Sequence, residues 1–201
     1  MTRIHRFKLG ASPTLAIFLT AIPSLAQDPP KKDRQRDPQN AIEPRSGPGV
    51  GQKFLEKFVG DWAVEKSFFR ASGEAVKSTG TCKQTMIHGG RFLQSEFTFG
   101  EGERASKGTG VIGFDSATGK FTSTWIDSRS TRFSFRQSKD KFDGEKITLV
   151  GAGLTTEDRP PRQSRTVTTL EDDGKKIIHR QFGANPDGSD RLVMQLVLTK
   201  K

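Results

Sequence analysis

The stretch GTGVIGFDSATGKFTSTWIDS, from Gly108 to Ser128, carries the clearest structural signal in the chain. Two segments of strand-forming residues flank SATGK, a short turn sequence, and this arrangement predicts an antiparallel β-hairpin. Alternate residues of a strand point to the same side, so Phe121, Ser123, Trp125 and Asp127 are predicted to share one face. Because no helix-like segment separates the two strands, the stretch does not fit a parallel βαβ unit.

Three glycines in this stretch, Gly108, Gly110 and Gly113, match the letters of the dinucleotide-binding motif G-x-G-x-x-G. That motif works at a strand–turn–helix junction, where the N-terminus of the helix faces the phosphates. Here the glycines lie inside a predicted strand that is followed by a hairpin, so we reject nucleotide binding. We expect instead that they allow sharp bending of a barrel strand.

The same pattern continues along the chain on both sides of this hairpin. Strand-like segments recur about every ten residues from Asp61 to Thr199, and several of the turns between them carry Asp-Gly, a strong hairpin signal. Before the first strand, Phe54, Leu55 and Phe58 have helical spacing, which predicts a short helix. A meander of about ten antiparallel strands has two exposed edges unless it closes. We therefore predict an all-β fold, an antiparallel up-and-down barrel.

The N-terminal part of the chain has a different composition. Residues 1–26 combine basic residues, an apolar run from Leu9 to Leu25 and small residues before a cleavage point, which predicts a cleavable secretory signal peptide. Residues 27–50 are rich in proline and charge, which predicts a disordered linker before the barrel domain of residues 51–201. We therefore expect an exported protein, periplasmic or extracellular, with no stable membrane insertion after signal cleavage.

Composition constrains the partners of the protein and the source of its stability. The formal net charge is +10 at pH 7, but the charges of the barrel domain are intermixed and no nucleic-acid-binding motif is present, so we expect no nucleic-acid partner. The single cysteine, Cys82, allows no internal disulfide, so the fold must depend on its hydrophobic core. Tyrosine is absent, and the 15 phenylalanines are expected to supply much of that core.

Several segments of the chain resemble a known family. They are FLEKFVGDW, HGGRFLQSEF, GTGVIGFDSATGKFTSTWIDS, and a last strand that ends in basic residues after MQLVLT. From Phe54 to Lys200 the chain is similar to domain of unknown function 1579, a bacterial family of exported lipocalin-like proteins. One departure is Phe114, which stands where the family has tyrosine. The resemblance implies a lipocalin-like barrel with Trp62 as a plug at one end, and it implies no reaction.

The stretch MIHGGRFL is predicted to form a tight turn that brings His88 and Arg91 together. Strand parity places His88, Arg91 and Asp127 at inward positions near strand ends, with Trp125 on the same face as Asp127. A barrel mouth lined by imidazole, guanidinium and carboxylate groups suits a small acidic or polar ligand. We therefore predict that His88, Arg91, Trp125 and Asp127 bind a small hydrophobic or amphiphilic molecule in the barrel.

Other interpretations of these residues remain open. Arg91 and Asp127 also suit a structural ion pair that closes one end of the barrel, with His88 capping a turn. A hydrolase or isomerase would use His88 as general base and Asp127 to orient it. A structural or interaction module of the cell envelope would need neither arrangement. No motif predicts a reaction, so the sequence favours a protein that is not an enzyme without deciding the question.

We predict no cofactor and no metal site. Beyond residues 1–26 the chain has two histidines, and they lack the spacing of a zinc site. His179, in KKIIHRQF, is a candidate haem ligand, because lipocalin-like haem proteins place a ligating histidine on a late strand. The sequence indicates neither the oligomeric state nor the identity of the ligand.

Overall fold

A computed structural model describes residues 39, 42, 46–152, 163–185 and 187–201 of the chain. The predicted signal peptide and most of the predicted linker therefore lie outside the described residues. Arg45–Lys201 forms a compact unit. In the described ranges, no helix has both the length and the apolar composition needed to span a membrane.

In its described part, this unit contains one α-helix and ten β-strands, with short 3₁₀ turns between some of them. The helix α1 spans Val50–Glu56, and the strands follow it without another α-helix between the described elements. The strands are β1 (Gly60–Phe69), β2 (Ala75–Ile87), β3 (Phe92–Phe99), β4 (Ser106–Asp115), β5 (Lys120–Asp127), β6 (Ser130–Gln137), β7 (Lys146–Ala152), β8 (Gln163–Glu171), β9 (Lys176–Ala184) and β10 (Asp190–Lys200).

The ten described strands form one closed barrel. Each strand pairs antiparallel with its neighbours in sequence, and β1 completes the barrel by pairing with β10, for example at Val64 and Leu198. The pairing of β6 with β7 is the shortest in the barrel and has a single registered pair, Gln137 and Val150. Closure removes the two free edges that an open meander would have, which is how an up-and-down barrel avoids edge-to-edge association. The predicted lipocalin-like antiparallel barrel with a short N-terminal helix is confirmed.

The up-and-down order gives the barrel two distinct ends. We define the open end as the one where β1, β3, β5, β7 and β9 finish, and the closed end as the one where β2, β4, β6 and β8 finish. The helix α1 lies at the closed end, because the Gln52 side chain donates a hydrogen bond to the carbonyl oxygen of Phe114, near the last residue of β4, at 2.7 Å. Consecutive hairpin turns therefore lie at opposite ends of the barrel.

An aromatic core fills the closed end. Trp62 is fully buried, and its indole N–H donates to the Phe58 carbonyl oxygen at 3.0 Å. Phe121 packs against Phe114 and Phe142, with ring centroids 4.9 Å and 5.0 Å away. This is the plug that the resemblance implies for Trp62, and it is built largely from phenylalanine, as the composition indicates.

Candidate functional site

A cavity of about 870 Å³ lies inside the barrel. Its floor is at the closed end, where Leu55 and Phe58 line it, and it extends to Phe68, Val76 and Asp127 at the open end. The volume falls within the range of about 300–1,000 Å³ that is common for small-molecule sites. The side chains of the barrel therefore leave room for a ligand.

One wall of the cavity is mainly apolar. It comes largely from β3, β5 and β10 and includes Leu93, Phe97, Phe99, Trp125, Met194 and Leu196. The Phe97 ring stacks on Phe99 at 5.9 Å between centroids and meets the Trp125 ring edge-on at 5.6 Å. Packed rings of this kind present a broad apolar surface with little side-chain freedom to lose on binding.

The strands β6 to β9 continue the barrel from β5 to β10. Most of the cavity-lining side chains of β6, β8 and β9 are polar and form what we call the polar wall, whereas Ile147 and Leu149 of β7 and Ile177 of β9 are apolar. The side chains of the polar wall include Ser134, Arg136, Thr166, Thr168, His179 and Gln181. In β8 and β9 these residues lie in two antiparallel pairs, Thr166 opposite Gln181 and Thr168 opposite His179. Hydroxyl, amide, imidazole and guanidinium groups thus face one side of the cavity, and the cavity as a whole is amphipathic.

Strand β6 has the reverse of the usual hydrophobic pattern. Its alternate residues Phe133 and Phe135 are 63% and 56% exposed, while Ser134 and Arg136 line the cavity. A strand that only filled a barrel core would place its phenylalanines inward and its arginine outward. The orientation of β6 therefore places a cation inside the barrel.

Arg136 is half-buried, and its Nε is buried with no hydrogen-bond partner among the described residues. Burial lowers the pKa of its guanidinium, because the charged form loses solvation. On β7, Gly151 leaves space for this side chain, since a Cβ there would lie 2.8 Å from Arg136 Cγ. The local sequence thus accommodates an arginine whose hydrogen-bonding capacity is incompletely used.

His179 is held in its neutral form on the polar wall. Burial lowers its pKa from 6.5 to about 4, and the positive charge of Arg136 contributes to the shift. The Nδ1 atom lies 2.8 Å from Thr168 Oγ1, so one ring nitrogen is engaged in a hydrogen bond. At neutral pH the imidazole offers hydrogen-bonding or ligating capacity without adding charge.

A second cation on the cavity wall, Lys66, is buried and lies toward the open end. The Lys66 ammonium is 3.5 Å from the centroid of the Phe99 ring. Burial lowers the pKa of Lys66, repulsion from Arg129 adds to the effect, and attraction to Asp127 opposes it. The open end therefore combines aromatic surface with positive charge.

Two predicted site residues, Trp125 and Asp127, line the cavity together. The Trp125 indole N–H donates to Asp127 Oδ2 at 2.9 Å, and the Arg129 backbone N–H donates to Asp127 Oδ1, also at 2.9 Å. These hydrogen bonds, with that of the Trp125 indole the strongest, lower the pKa of Asp127. The carboxylate is therefore ionised and engaged on both oxygens.

The other two predicted residues, His88 and Arg91, do not belong to this cluster. They lie in the turn between β2 and β3, at the closed end, and neither lines the cavity. The Arg91 side chain donates to the carbonyl oxygens of Ser46 at 3.0 Å and His88 at 3.3 Å. The His88 ring packs edge-on against Phe92 at 6.1 Å. Both residues stabilise a structural corner.

The expectation that His88, Arg91 and Asp127 share one barrel mouth is wrong. The β3–β4 and β4–β5 registers place Phe92, beside the β2–β3 turn, next to Gly113, and they place Asp127 next to Gly108 at the other end of β4. Neither the Arg91–Asp127 ion pair nor the His88–Asp127 catalytic pair can form across that separation. Strand parity predicts which side a residue faces, but it does not say at which end of the barrel it lies.

The glycines of the G-x-G-x-x-G stretch provide space for side chains of neighbouring strands. A Cβ on Gly108 would lie 2.3 Å from Trp125 Cζ2, and a Cβ on Gly113 would lie 2.6 Å from the Phe92 ring. Neither glycine has a positive φ. The residues therefore allow aromatic side chains of the neighbouring strands to lie flat against β4, and Gly108 helps to position Trp125 on the cavity wall.

The sequence predicts neither Lys66 nor Arg136 as a site residue, and it offers His179 only as a candidate haem ligand. A signal for Arg136 was present in TRFSFRQ, where phenylalanine and polar residues alternate. Either parity is consistent with that alternation, and the apolar one is the natural choice for the inside. The sequence therefore does not determine which face of β6 points inward, and only the structure shows it.

Comparison with known proteins places this barrel in a family. The family model described as "Protein of unknown function (DUF1579)" matches residues 47–200. The chain belongs to this family. A comparison with curated proteins gives no match for it.

Two solved structures are similar to this DUF1579 protein. The crystal structure of Rv2717c from M. tuberculosis aligns with a TM-score of 0.53 and 11% identity, over 77% of this chain and 99% of that chain. The structure of the S-type phycobiliprotein lyase CPES from Guillardia theta aligns with a TM-score of 0.47 and 12% identity, over 81% of this chain and 97% of that chain. At such low identity the likeness to Rv2717c bears on the fold alone.

Proposed function

We propose that this DUF1579 protein is an exported binding protein that holds one small amphiphilic molecule in its barrel. The observation that carries the proposal is the amphipathic cavity of about 870 Å³, which is lined both by packed aromatic rings and by polar side chains. Apolar ligand surface would leave water for the Phe97–Trp125 wall, which is favourable by about 25 cal/mol per Å². The polar groups would orient the other part of the molecule.

Export is part of this proposal and rests on the predicted signal peptide in residues 1–26. Cell fractionation of the full chain tests it. We expect the protein in the periplasmic or extracellular fraction, in a form shortened by the length of the signal peptide. Export would be contradicted if the protein were found only in the cytoplasm and at full length. That result would not bear on ligand binding, which the following titration tests.

A titration with the neutral dye N-phenylnaphthylamine tests ligand binding, because the dye becomes fluorescent in apolar surroundings. The variant Ser123→Trp places a large ring on the cavity wall, since Ser123 lines the cavity. The matched control is Thr122→Trp, because Thr122 is the preceding residue on β5 and does not line the cavity. We expect saturable binding to the wild type and to Thr122→Trp, and a loss of affinity of at least about tenfold in Ser123→Trp. Equal binding by all three, or none by the folded wild type, would overturn the proposal.

Haem is a second candidate ligand, favoured by the position of His179. Metal-ligating histidines usually engage their other ring nitrogen in a hydrogen bond, and Nδ1 of His179 is 2.8 Å from Thr168 Oγ1. The residues fit the group, since Nε2 would ligate the iron while Arg136 and Lys66 on the cavity wall suit the propionates. When bound, haem would supply redox or gas-binding chemistry.

Absorption spectra of the full chain with added haem test this candidate. A shifted Soret band that is lost in His179→Ala and retained in His88→Ala would support it, because His88 lies outside the cavity. An unshifted band in the wild type, or a shift that persists in His179→Ala, would exclude ligation by His179.

A further inference from the structure

The charge of Arg136 has no partner in the described part of the chain. The ion pairs found there are Arg70–Glu74, Arg165–Asp190 and Lys176–Asp172. None of them reaches into the cavity, and Arg136 Nε is buried without an acceptor. A guanidinium carries five N–H donors, and leaving a buried cation without acceptors or a counter-charge is costly.

The other charged residues of the cavity do not supply that counter-charge. Among the residues described on its wall, the basic side chains are Lys66, Lys107, Arg129 and Arg136, and the carboxylate is Asp127. Asp127 is already hydrogen-bonded by the Trp125 indole and by the Arg129 backbone N–H. The cavity therefore has an excess of positive charge, which attracts anions and repels cations.

The uncharged polar side chains of the cavity suit an anion as well. Those of β8 and β9 are Thr166, which lies opposite Gln181, and Thr168, which lies opposite His179, and the apolar Ile177 of β9 also lines the cavity. His179 is neutral at physiological pH, because burial and the charge of Arg136 lower its pKa to about 4. Hydroxyl and amide groups that line the same cavity as a guanidinium form a suitable setting for a carboxylate or phosphate.

We infer that the ligand is an amphiphilic anion whose carboxylate or phosphate group pairs with Arg136, while its apolar part lies against Phe97 and Trp125. The inference rests on the proposed function and adds the chemical class of the head group. An Arg–carboxylate or Arg–phosphate pair can be bidentate, so one oxyanion would satisfy the buried Nε and a second donor together. Adjacent residues of a strand point to opposite faces, so placing Arg136 inside the barrel leaves Phe133 and Phe135 exposed outside it.

Displacement of bound N-phenylnaphthylamine by ligands of equal chain length tests the inference on the full wild-type chain. The ligands are dodecanoate, dodecyl phosphate, dodecanol and dodecyltrimethylammonium, each used below its micelle concentration near neutral pH. We expect both anions, or one of them, to bind at least about tenfold more tightly than dodecanol, as a charge-assisted hydrogen bond predicts. The cation should bind most weakly, and the stronger of the two anions identifies the head group.

Variants then assign that preference to Arg136. Arg136→Met should remove the preference for the anion, measured as the ratio of the anion and dodecanol affinities of the same variant. The matched control is Arg132→Met on the same strand, which has the same change of charge at an exposed position outside the cavity. If Arg136→Met does not fold, Arg136→Gln and the wild-type ligand series serve the same purpose.

The outcomes separate this inference from the function on which it rests. Equal wild-type affinity for dodecanol and both anions, or an unchanged preference in Arg136→Met, overturns the anionic head group alone. Absence of binding by the dye and by every ligand overturns the proposed function. A preference that is lost in Arg136→Met and kept in Arg132→Met supports both.

Discussion

Trp125 donates its indole N–H to Asp127 at 2.9 Å, from two positions earlier on the same face of β5. The bond fixes the indole plane on the cavity wall and engages the carboxylate at the open end. Gly108 on β4 leaves the space in which the ring lies. A local feature of one strand thus determines the shape of the wall that a ligand would contact.

This hydrogen bond predicts an acid-dependent contribution to stability. The pKa of Asp127 is lowered in the folded protein, so its contribution is present above the unfolded pKa, near 3.9, and is lost as the pH falls through the lower folded value. Because Asp127 is largely solvated, we expect less than about 1 kcal/mol. Urea unfolding of wild type and Asp127→Asn should differ near neutral pH and converge at strongly acidic pH. A difference that grows toward acid would contradict this account.

The lowered pKa of His179 predicts a larger pH dependence of stability, over a higher pH range than that of Asp127. Its pKa falls from 6.5 to about 4 on folding, so the unfolded chain binds the proton more readily, and stability decreases as the pH falls from 6.5 toward 4. The loss should reach about 3 kcal/mol, at about 1.4 kcal/mol per pKa unit. Urea unfolding at several pH values should show this slope in wild type and in His88→Gln, and a much smaller slope in His179→Gln. An equal slope in His179→Gln would show that other groups cause it.

The burial of Trp62 at the closed end predicts a large contribution of this side chain to the free energy of unfolding. It is fully buried and bonded to the Phe58 carbonyl oxygen at 3.0 Å. Replacing it by alanine should lower the free energy of unfolding by about 3–5 kcal/mol, whereas Trp62→Phe should cost less because most of the ring contacts remain. Chemical denaturation followed by circular dichroism measures both. A loss below about 1 kcal/mol in Trp62→Ala would mean that the plug is not a main source of stability.

The close approach of Gly108 and Trp125 predicts that a side chain at position 108 lowers both the stability of the protein and its affinity for the dye. A Cβ at this position would lie 2.3 Å from Trp125 Cζ2, so Gly108→Ala should displace the indole and cost about 1–3 kcal/mol. Dye affinity should fall as well, because the displaced ring would disturb the apolar wall. The control is Gly47→Ala, where a Cβ would meet no atom within 4 Å. Unchanged dye affinity in a folded Gly108→Ala protein would show that Trp125 does not shape the site.

Local sequence signals were sufficient for the fold. Turn sequences such as SATGK and the recurrent strand segments predict an antiparallel meander, and the need to remove its edges predicts closure. The inward face of β5, with Phe121, Trp125 and Asp127, also follows from simple alternation. These features depend on contacts between residues that are near in sequence or on adjacent strands.

The site was less predictable, for two physical reasons. The end of the barrel that a residue occupies follows from the strand order and not from parity, so a prediction based on parity alone did not separate His88 from Asp127. In addition, hydrophobic parity favours an inward Phe135, whereas the protein exposes Phe135 and places Arg136 inside. A binding site departs from the rules of core formation, so those rules do not locate it.

Native mass spectrometry of the protein purified from its own source tests the central claim most directly. We predict one small molecule bound per wild-type chain, released on denaturation and visible in negative-ion mode as an organic anion, with no such adduct on the cavity-filling variant Ser123→Trp. The claim that this barrel is a binding protein would be contradicted if the wild type and the variant both showed the mass of the chain alone and the organic extract contained no enriched small molecule.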